Sequence, residues 1–335
     1  MCAQKAYDVV GIGVAAVDDM LYVEDYPRRN VKTPLAGTER HGGGPACTAT
    51  AAVGTLYGRC AYVARFGDNS LAAYIESVLK SRGVDTAHIV YDSQAAPYHS
   101  YIVADRSGNR NVFFDASGFR PVTAEDVPES LILSAKIILL DHVAEPALIA
   151  VAEKIRKLRV PILGDIEGCS ESALRLAELT DYLVVPEEFA CWAANSSDPE
   201  EACAHLARTK RLATVVTSGA EGCYLCEAGS THIEHFPAFE VEAFDTNGCG
   251  DTFHGAFALA LARGLELREI ITFASAAAAL KANARDGKQR GWDALPVMDE
   301  IIALLKDQPH VTGARQLLKS VGRLQASGSQ ISQSL

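Results

Sequence analysis

One stretch, FDTNGCGDTFHGAFALALARG at 244–264, sets Gly248, Cys249 and Gly250 directly before Asp251 and then opens a helical run. Phe253, Phe257, Ala260 and Leu261 fall at helical spacing, and Gly264 suits the stop. Amides at a glycine-rich helix start point outward, and the helix dipole favours negative charge there. The turn is therefore a candidate oxyanion or phosphate cradle. A carboxylate repels a phosphate, so Asp251 makes sense as a base that takes the proton of an attacking hydroxyl. An anion cradle and a base at one helix start suit phosphoryl transfer, where positioning and charge stabilisation supply most of the catalysis. From these residues alone, an Asp N-cap after a glycine turn explains the stretch equally well. His254, one helical turn on, either tunes the base or packs behind it.

Other groups could meet a substrate. Gly42, Gly43 and Gly44 precede Pro45 and an alanine-rich run that reads as a helix ended by Gly58, and consecutive glycines let backbone approach a ligand closely. Asp18 lies five residues after Gly13. A carboxylate there would accept two sugar hydroxyl protons in fixed geometry, although a turn or solvated Asp fits the same spacing. Asp19 would point the other way on a strand. Arg28, Arg29 and Lys32 lie between Pro27 and Pro34. They suit a mobile flap that meets an acidic substrate group or phosphates, and a solvated charge run equally. Gly11 to Ala16 has the G-x-G-x-x-A form of a dinucleotide fingerprint, but the segment after it alternates like a strand, so NAD binding rests on that hexapeptide alone. Cys223 and Cys226 form a CxxC in a strand-like run, where residues three apart face opposite ways, which argues against zinc.

The central stretch resembles the D-T-x-G-x-G-D signature of the ribokinase-like (PfkB) carbohydrate kinases. The resemblance implies a kinase domain over 1–308, with an α/β fold: a mostly parallel sheet, helices on both faces and a small β lid from segments 19–40 and 96–118. It leaves 309–335 as a partly disordered C-terminal extension. It implies that Asp251 is the catalytic base, with the amides of Gly248, Cys249, Gly250 and Asp251 on the transferred phosphoryl group. Asp18, Gly42, Gly43 and Gly44 would hold the sugar, with Cys47 where the family usually has Asn. Lys32 on the flap and Asp115 at a lid strand end are further candidates for the sugar side. Thr217, Gly219 and Gly222 match the family's T-x-G-x-x-G beside the nucleotide, and Asn283 opens a polar loop, 283–291, resembling its adenine-side loop. Asp245 with that loop could hold potassium, since backbone carbonyls and one carboxylate suit a monovalent cation. The family's N-x-x-E, which helps place magnesium, is replaced by Pro186, Glu187, Glu188 and Phe189. Glu187 would then act through a water, or the nucleotide would carry Mg²⁺ itself. The GGGPA form resembles the branch containing sulfofructose kinase. The implied function is ATP-dependent phosphorylation of a sugar or sugar-derivative hydroxyl by a homodimer that uses ATP, Mg²⁺ and K⁺. A sugar or nucleotide sensor on the same fold, a nucleoside kinase and an NAD-dependent oxidoreductase are the alternatives.

These residues need a frame. Apolar strand runs at 137–141, 160–165, 182–185 and 213–217 alternate with helical segments at 146–158, 171–179 and 199–208. That alternation predicts right-handed βαβ units and a parallel sheet covered on both faces, with ligands beyond the carboxyl ends of the strands. Asp141, Asp165, Glu187 and Thr217 stand at such ends. Before them come a strand at 7–14, a strand at 60–66, a helix at 71–81 and a hairpin of alternating runs, Tyr98–Ala104 and Arg110–Asp115. Helices are expected at 269–281 and 295–305, and the tail SGSQISQSL should fray.

Composition sets limits on this reading. With 335 residues, 48% hydrophobic and 22% charged, the chain can build one large α/β domain or two modest ones. A net charge of −11 argues against a general nucleic-acid surface, and no apolar run reaches the length of a membrane span. Nine cysteines, an odd number scattered through apolar runs, read as reduced thiols and point to the cytoplasm.

Overall fold

The computed structural model describes residues 5–106, 109–208, 211–287 and 289–325. β1 (Tyr7–Ile12) enters the main sheet at once. β2 (Ala16–Tyr22) and β3 (Gly37–Gly43) leave it as an antiparallel ribbon. α1 (Pro45–Thr55) brings the chain back, with Pro45 in the first turn, where a missing N–H costs nothing. The strand expected at 60–66 splits into β4 (Cys60–Val63) and β5 (Arg65–Phe66), which belong to different sheets. α2 (Ser70–Ser81) is capped by the Asn69 side chain, and Gly83, at φ 76°, stops it. β6 (Val84–Asp85) and β7 (Val90–Tyr91) are short edge pieces. The predicted hairpin forms as β8 (Tyr98–Ala104) and β9 (Arg110–Asp115); Ser107 and Gly108 of its turn lie outside the described residues.

The regular half follows the predicted alternation. It runs α3 (Glu129–Ser134), β10 (Ala135–Asp141), α4 (Glu145–Lys157), β11 (Ile162–Asp165), α5 (Glu171–Ala177), β12 (Tyr182–Pro186), α6 (Glu187–Ala194), α7 (Pro199–Leu206) and β13 (Ala213–Thr217). α3 and α6 have no counterpart among the helices expected from the sequence. β14 (Cys223–Glu227) and β15 (Glu234–Phe236) turn back antiparallel, and α8 (Cys249–Ala262), α9 (Leu267–Gly287), α10 (Met298–Asp307) and α11 (Ala314–Gln325) follow. α9 takes in the first half of the loop expected at 283–291, with Ala284 and Arg285 at positive φ (47° and 49°) near its end. Beyond residue 308, where an extension is expected, α11 packs into the core through Ala314, Leu317 and Leu324. The SGSQISQSL tail lies outside the described residues.

Nine strands form one sheet in the order β15-β14-β13-β12-β11-β10-β1-β4-β6, parallel from β13 to β6. Alternate residues of each strand face opposite cores. Val9 and Leu139 join the side of α1, α8 and α9, while Val10, Ile138 and Leu140 join the side of α4 to α7. Burial on both faces is why these strands read as continuous apolar runs. Segments 19–40 and 96–118 supply most of a separate four-stranded sheet, β3-β2-β8-β9. α1 and α8 touch so closely that a Cβ on Gly255 would lie 2.3 Å from the Ala49 carbonyl oxygen. That contact brings both helix N-termini to one place, at the carboxyl ends of β10 and β11.

Candidate active site

The two glycines of the G-x-G-x-x-A hexapeptide serve packing. A Cβ on Gly11 would collide with Thr50, and one on Gly13 would lie 2.1 Å from Asp141 Oδ2. Asp141 accepts hydrogen bonds from the amides of Val14 (2.7 Å), Ala46 (3.3 Å) and Val143 (3.0 Å). It therefore ties the β1–β2 turn to the start of α1. The chain enters β2, not a helix, after this turn, so the dinucleotide reading lacks its helix.

Beyond Asp141 opens a cavity of about 350 Å³. Asp18, Gly42, Gly43 and Gly44 line one wall, and Gly248, Gly250 and Asp251 line the other. Each glycine of the first wall is there for space. A Cβ on Gly43 would lie 2.3 Å from Asp18 Oδ2, one on Gly42 2.6 Å from the Trp292 ring, and Gly44 has φ 89°. Trp292 itself is anchored by Nε1–H donating to Thr48 Oγ1 at 3.0 Å. Asp18 bonds to Ser100 on β8, and burial raises its carboxyl above the ordinary value. Asp19 faces away, as expected, and pairs with Arg40 (2.6 Å) and His99 (2.7 Å).

On the second wall Gly248 is the N-cap of α8, in the left-handed region at φ 76°, and no side chain caps the helix. Asp251 sits in the first turn and is not the cap, so the N-cap alternative falls. The first-turn amides are left without a side-chain acceptor, as an anion cradle requires. Cys249 contributes less than the sequence suggests. Its amide donates to Thr246 O (3.3 Å), its thiol leans on Asp245 O (3.8 Å), and burial pushes that thiol to about 12. Burial, then the negative charges of Asp165 and Glu167, hold Asp251 well above the usual carboxylate range. His254 packs behind the turn, with Nδ1 2.8 Å from Gly250 O and Nε2 3.0 Å from Val184 O. Asp165, 3.5 Å from the same ring, is fully buried, and neither of its oxygens has a hydrogen-bond partner.

Several sequence candidates stand elsewhere. Cys47 is fully buried behind the wall, where desolvation raises its thiol far above its ordinary value, so it offers nothing to a ligand. Lys32 is exposed on the loop between β2 and β3, away from the cavity lining. Asp115 is exposed at the end of β9, its carboxylate turned back to accept the Ser117 amide at 2.8 Å. Thr217, Gly219, Gly222 and Glu187 cluster instead beyond β12 and β13 and do not line this cavity. Gly222 has its own packing reason, since a Cβ there would lie 2.0 Å from Phe236 O. Asn283 sits within α9 and its side-chain amide donates to Glu242 O at 3.1 Å. Asp245, expected to hold a monovalent cation, holds the Lys281 Nζ at 3.1 Å.

Four charged or aromatic residues that the sequence reading missed line the cavity: Arg110, Glu167, Lys281 and Trp292. Two carried a readable signal. Lys281 is a lone cation at the end of an apolar helical run, and Glu167 follows Asp165 by two residues at a strand end. Arg110 and Trp292 arrive only through sheet pairing and packing.

Known proteins carry the same frame. The probable fructokinase-5 of Arabidopsis thaliana is 25% identical over 299 residues, covering 81% of this chain and 90% of that protein. The ribokinase of Staphylococcus aureus is 23% identical, covering 88% and 98%. A crystal structure of a putative ribokinase from Agrobacterium tumefaciens superposes with a TM-score of 0.80 at 27% identity, over 95% of this chain and 99% of that one. The Arabidopsis thaliana ribokinase complexed with ribose and ATP gives 0.79 at 21% identity, over 90% and 99%. The pattern of the pfkB family carbohydrate kinases matches residues 8–290, and the chain belongs to that family.

Proposed function

We propose that the protein transfers the terminal phosphoryl group of ATP to a hydroxyl, a primary one, of a sugar or sugar derivative. The observation that carries this reading is one cavity with Asp18 on one wall and Asp251, beside an uncapped glycine turn, on the other. Asp18 and the Gly42, Gly43 and Gly44 backbone hold the sugar. Asp251 takes the hydroxyl proton, and the amides of the 248–251 turn receive the charge that builds on the phosphoryl oxygens. Arg110, reaching in from the lid, suits an acidic substituent on the acceptor or the phosphoryl group itself. We assign Thr217, Gly219, Gly222 and Asn283 to the nucleotide side of the site.

Magnesium fits the donor set here. Glu167 comes within reach of the turn, its Oε1 3.9 Å from where a Cβ on Gly250 would stand, and a hard cation takes carboxylate oxygens. Glu167, not Glu187, is then the residue that helps hold Mg²⁺, most of whose ligands come from the nucleotide; the ion would neutralise phosphate charge. The eight described cysteines are unpaired, which suits a reducing cytoplasm. The assembly is a homodimer through the lid sheet.

Coupled ADP release tests the reading, with Mg-ATP and a panel of hexoses, ketoses, pentoses, nucleosides, sugar acids and sugar phosphates. We expect an acceptor-dependent rate that Asp251→Asn lowers by on the order of 10²–10⁴-fold while Mg-ATP still binds. Wild-type turnover in that variant would sink the assignment. ATP binding with no acceptor-dependent rate would favour a sensor on the same fold, which the buried Cys47 and the missing N-x-x-E also suit.

A further inference from the structure

Lys281 is 1% exposed, and a lysine is almost never buried without a partner. Its partner is Asp245, Oδ2 at 3.1 Å. Asp245 is itself fixed: its carboxylate accepts the amides of Asn247 (3.0 Å) and Gly291 (3.3 Å). The Ala282 carbonyl, next to Lys281, accepts the amides of Phe244 (2.8 Å) and Asp245 (3.1 Å). Helix α9 and the segment leading into the glycine turn are thus stitched together at this point. The lysine stem runs under the turn, its Cε 3.9 Å from where a Cβ on Gly248 would stand. Lys281 lines the same cavity as Gly248, Gly250 and Asp251.

A carboxylate beside backbone oxygens is the setting in which a monovalent cation would be looked for. Here the place does not fit one. The Asp245 charge is already met by an ammonium held within 3.1 Å, and a second cation at that carboxylate would be repelled by the first. An ammonium and a potassium ion carry the same charge, but the ammonium cannot dissociate. We propose that Lys281 is the fixed cation of this site, setting a permanent positive charge beneath the 248–251 turn so that phosphoryl transfer needs no monovalent salt. This rests on the kinase reading above. Lys281 acts on the turn and on charge arriving there, and Asp245 orients it.

The test compares turnover and Mg-ATP binding, the latter by calorimetry, in potassium, sodium and tetramethylammonium buffers of equal ionic strength. Wild-type protein should give the same rate and affinity in all three. Lys281→Ala, which leaves room beside Asp245, should lose on the order of 10²-fold in transfer rate and recover part of it in potassium or ammonium. Lys281→Met, which fills the room without charge, should lose as much and recover nothing. A lysine with only a structural role would give two impaired variants with no salt response, and that result overturns the proposal. So does a wild-type rate or affinity that rises about fivefold or more in potassium, the lower range for a coupled effector. If the single variants fail to fold, the wild-type comparison still decides, and the paired Lys281→Met, Asp245→Asn variant removes both buried charges together. Wild-type protein that binds no Mg-ATP in any salt refutes the kinase reading itself, whereas an active, potassium-stimulated enzyme refutes only the role given to Lys281.

Discussion

At the scale of single residues the site is governed by crowded negative charge. Burial first, and then neighbouring carboxylates with Glu167 among them, hold Asp141, Asp165 and Asp251 above the ordinary carboxylate range. A base must be ionised to work, so the acid limb of kcat/KM should lie above the ordinary carboxylate range. Glu167→Gln removes one like charge and should move that limb to lower pH; an unmoved limb would mean that Asp251 is not the titrating base. The apparent values belong to the cluster, not to one member. The same crowding acts on stability. Burial pushes Asp141 to about 7, whereas in the unfolded chain it titrates near 4. Between those values the folded state binds the proton and the unfolded state does not, so its stability rises as pH falls through the window. Thermal melts of the ligand-free protein should show a higher Tm at about pH 6 than at about pH 8. These residue types were readable in the sequence, and so was their place at strand ends. Their mutual distances were not, because they depend on the β10–β11 register that sets Asp141 beside Asp165.

At the scale of elements, legibility followed how local the deciding interactions are. The hairpin of β8 and β9 formed at the predicted bounds because alternation along each strand is a local signal. The polar segment after residue 282 looked like a loop, yet α9 continues into its first half, to Gly287. The Arg285 guanidinium reaches Glu300 (2.5 Å) at the start of α10 and the Asp293 carbonyl, partners no local pattern could announce. The triple glycine before α1 was legible as a close-approach loop, but its reasons lie far along the chain, in Trp292 and Asp18. Which basic residue faces the cavity was equally hidden: sheet pairing brings Arg110 in and leaves Lys32 outside. The glycine wall yields a further expectation. Gly43→Ala would drive a methyl against Asp18 Oδ2, so the carboxylate must turn or β3 must shift. KM for the sugar should rise by on the order of tenfold or more, with Mg-ATP affinity nearly unchanged, because displacing a substrate-positioning group costs mainly on its own side of the cavity. Equal losses for sugar and ATP would show that Gly43 supports the whole frame and not Asp18 alone.

At the scale of the whole molecule, the chain carries a net charge of −11, so under the proposed kinase reading an anionic nucleotide would be drawn in by local cations at the cavity, of which Arg110 is one and Lys281, paired with Asp245, another. Arg110 begins β9, one of the two outer strands of the lid sheet. The residues after it, Val112, Phe113 and Phe114, are 51, 54 and 64% exposed. An edge strand with bare backbone and three consecutive large apolar side chains invites pairing, and a second copy of the chain can cover it by a two-fold contact in which each lid uses the same patch. Light scattering after size-exclusion should therefore give about twice the 35.8 kDa chain mass. Phe114 stacks on Tyr98 within the lid, at 5.8 Å between ring centroids, so Phe113 is the cleaner position to charge. Phe113→Lys should shift the mass toward the monomer. It should also raise the sugar KM more than the ATP KM, because the strand that carries Arg110 over the cavity loses its support. A wild-type protein that stays monomeric at high concentration would refute the dimer. A Phe113→Lys monomer with unchanged sugar KM would show that the lid holds its shape alone, and that Arg110 owes nothing to the second copy.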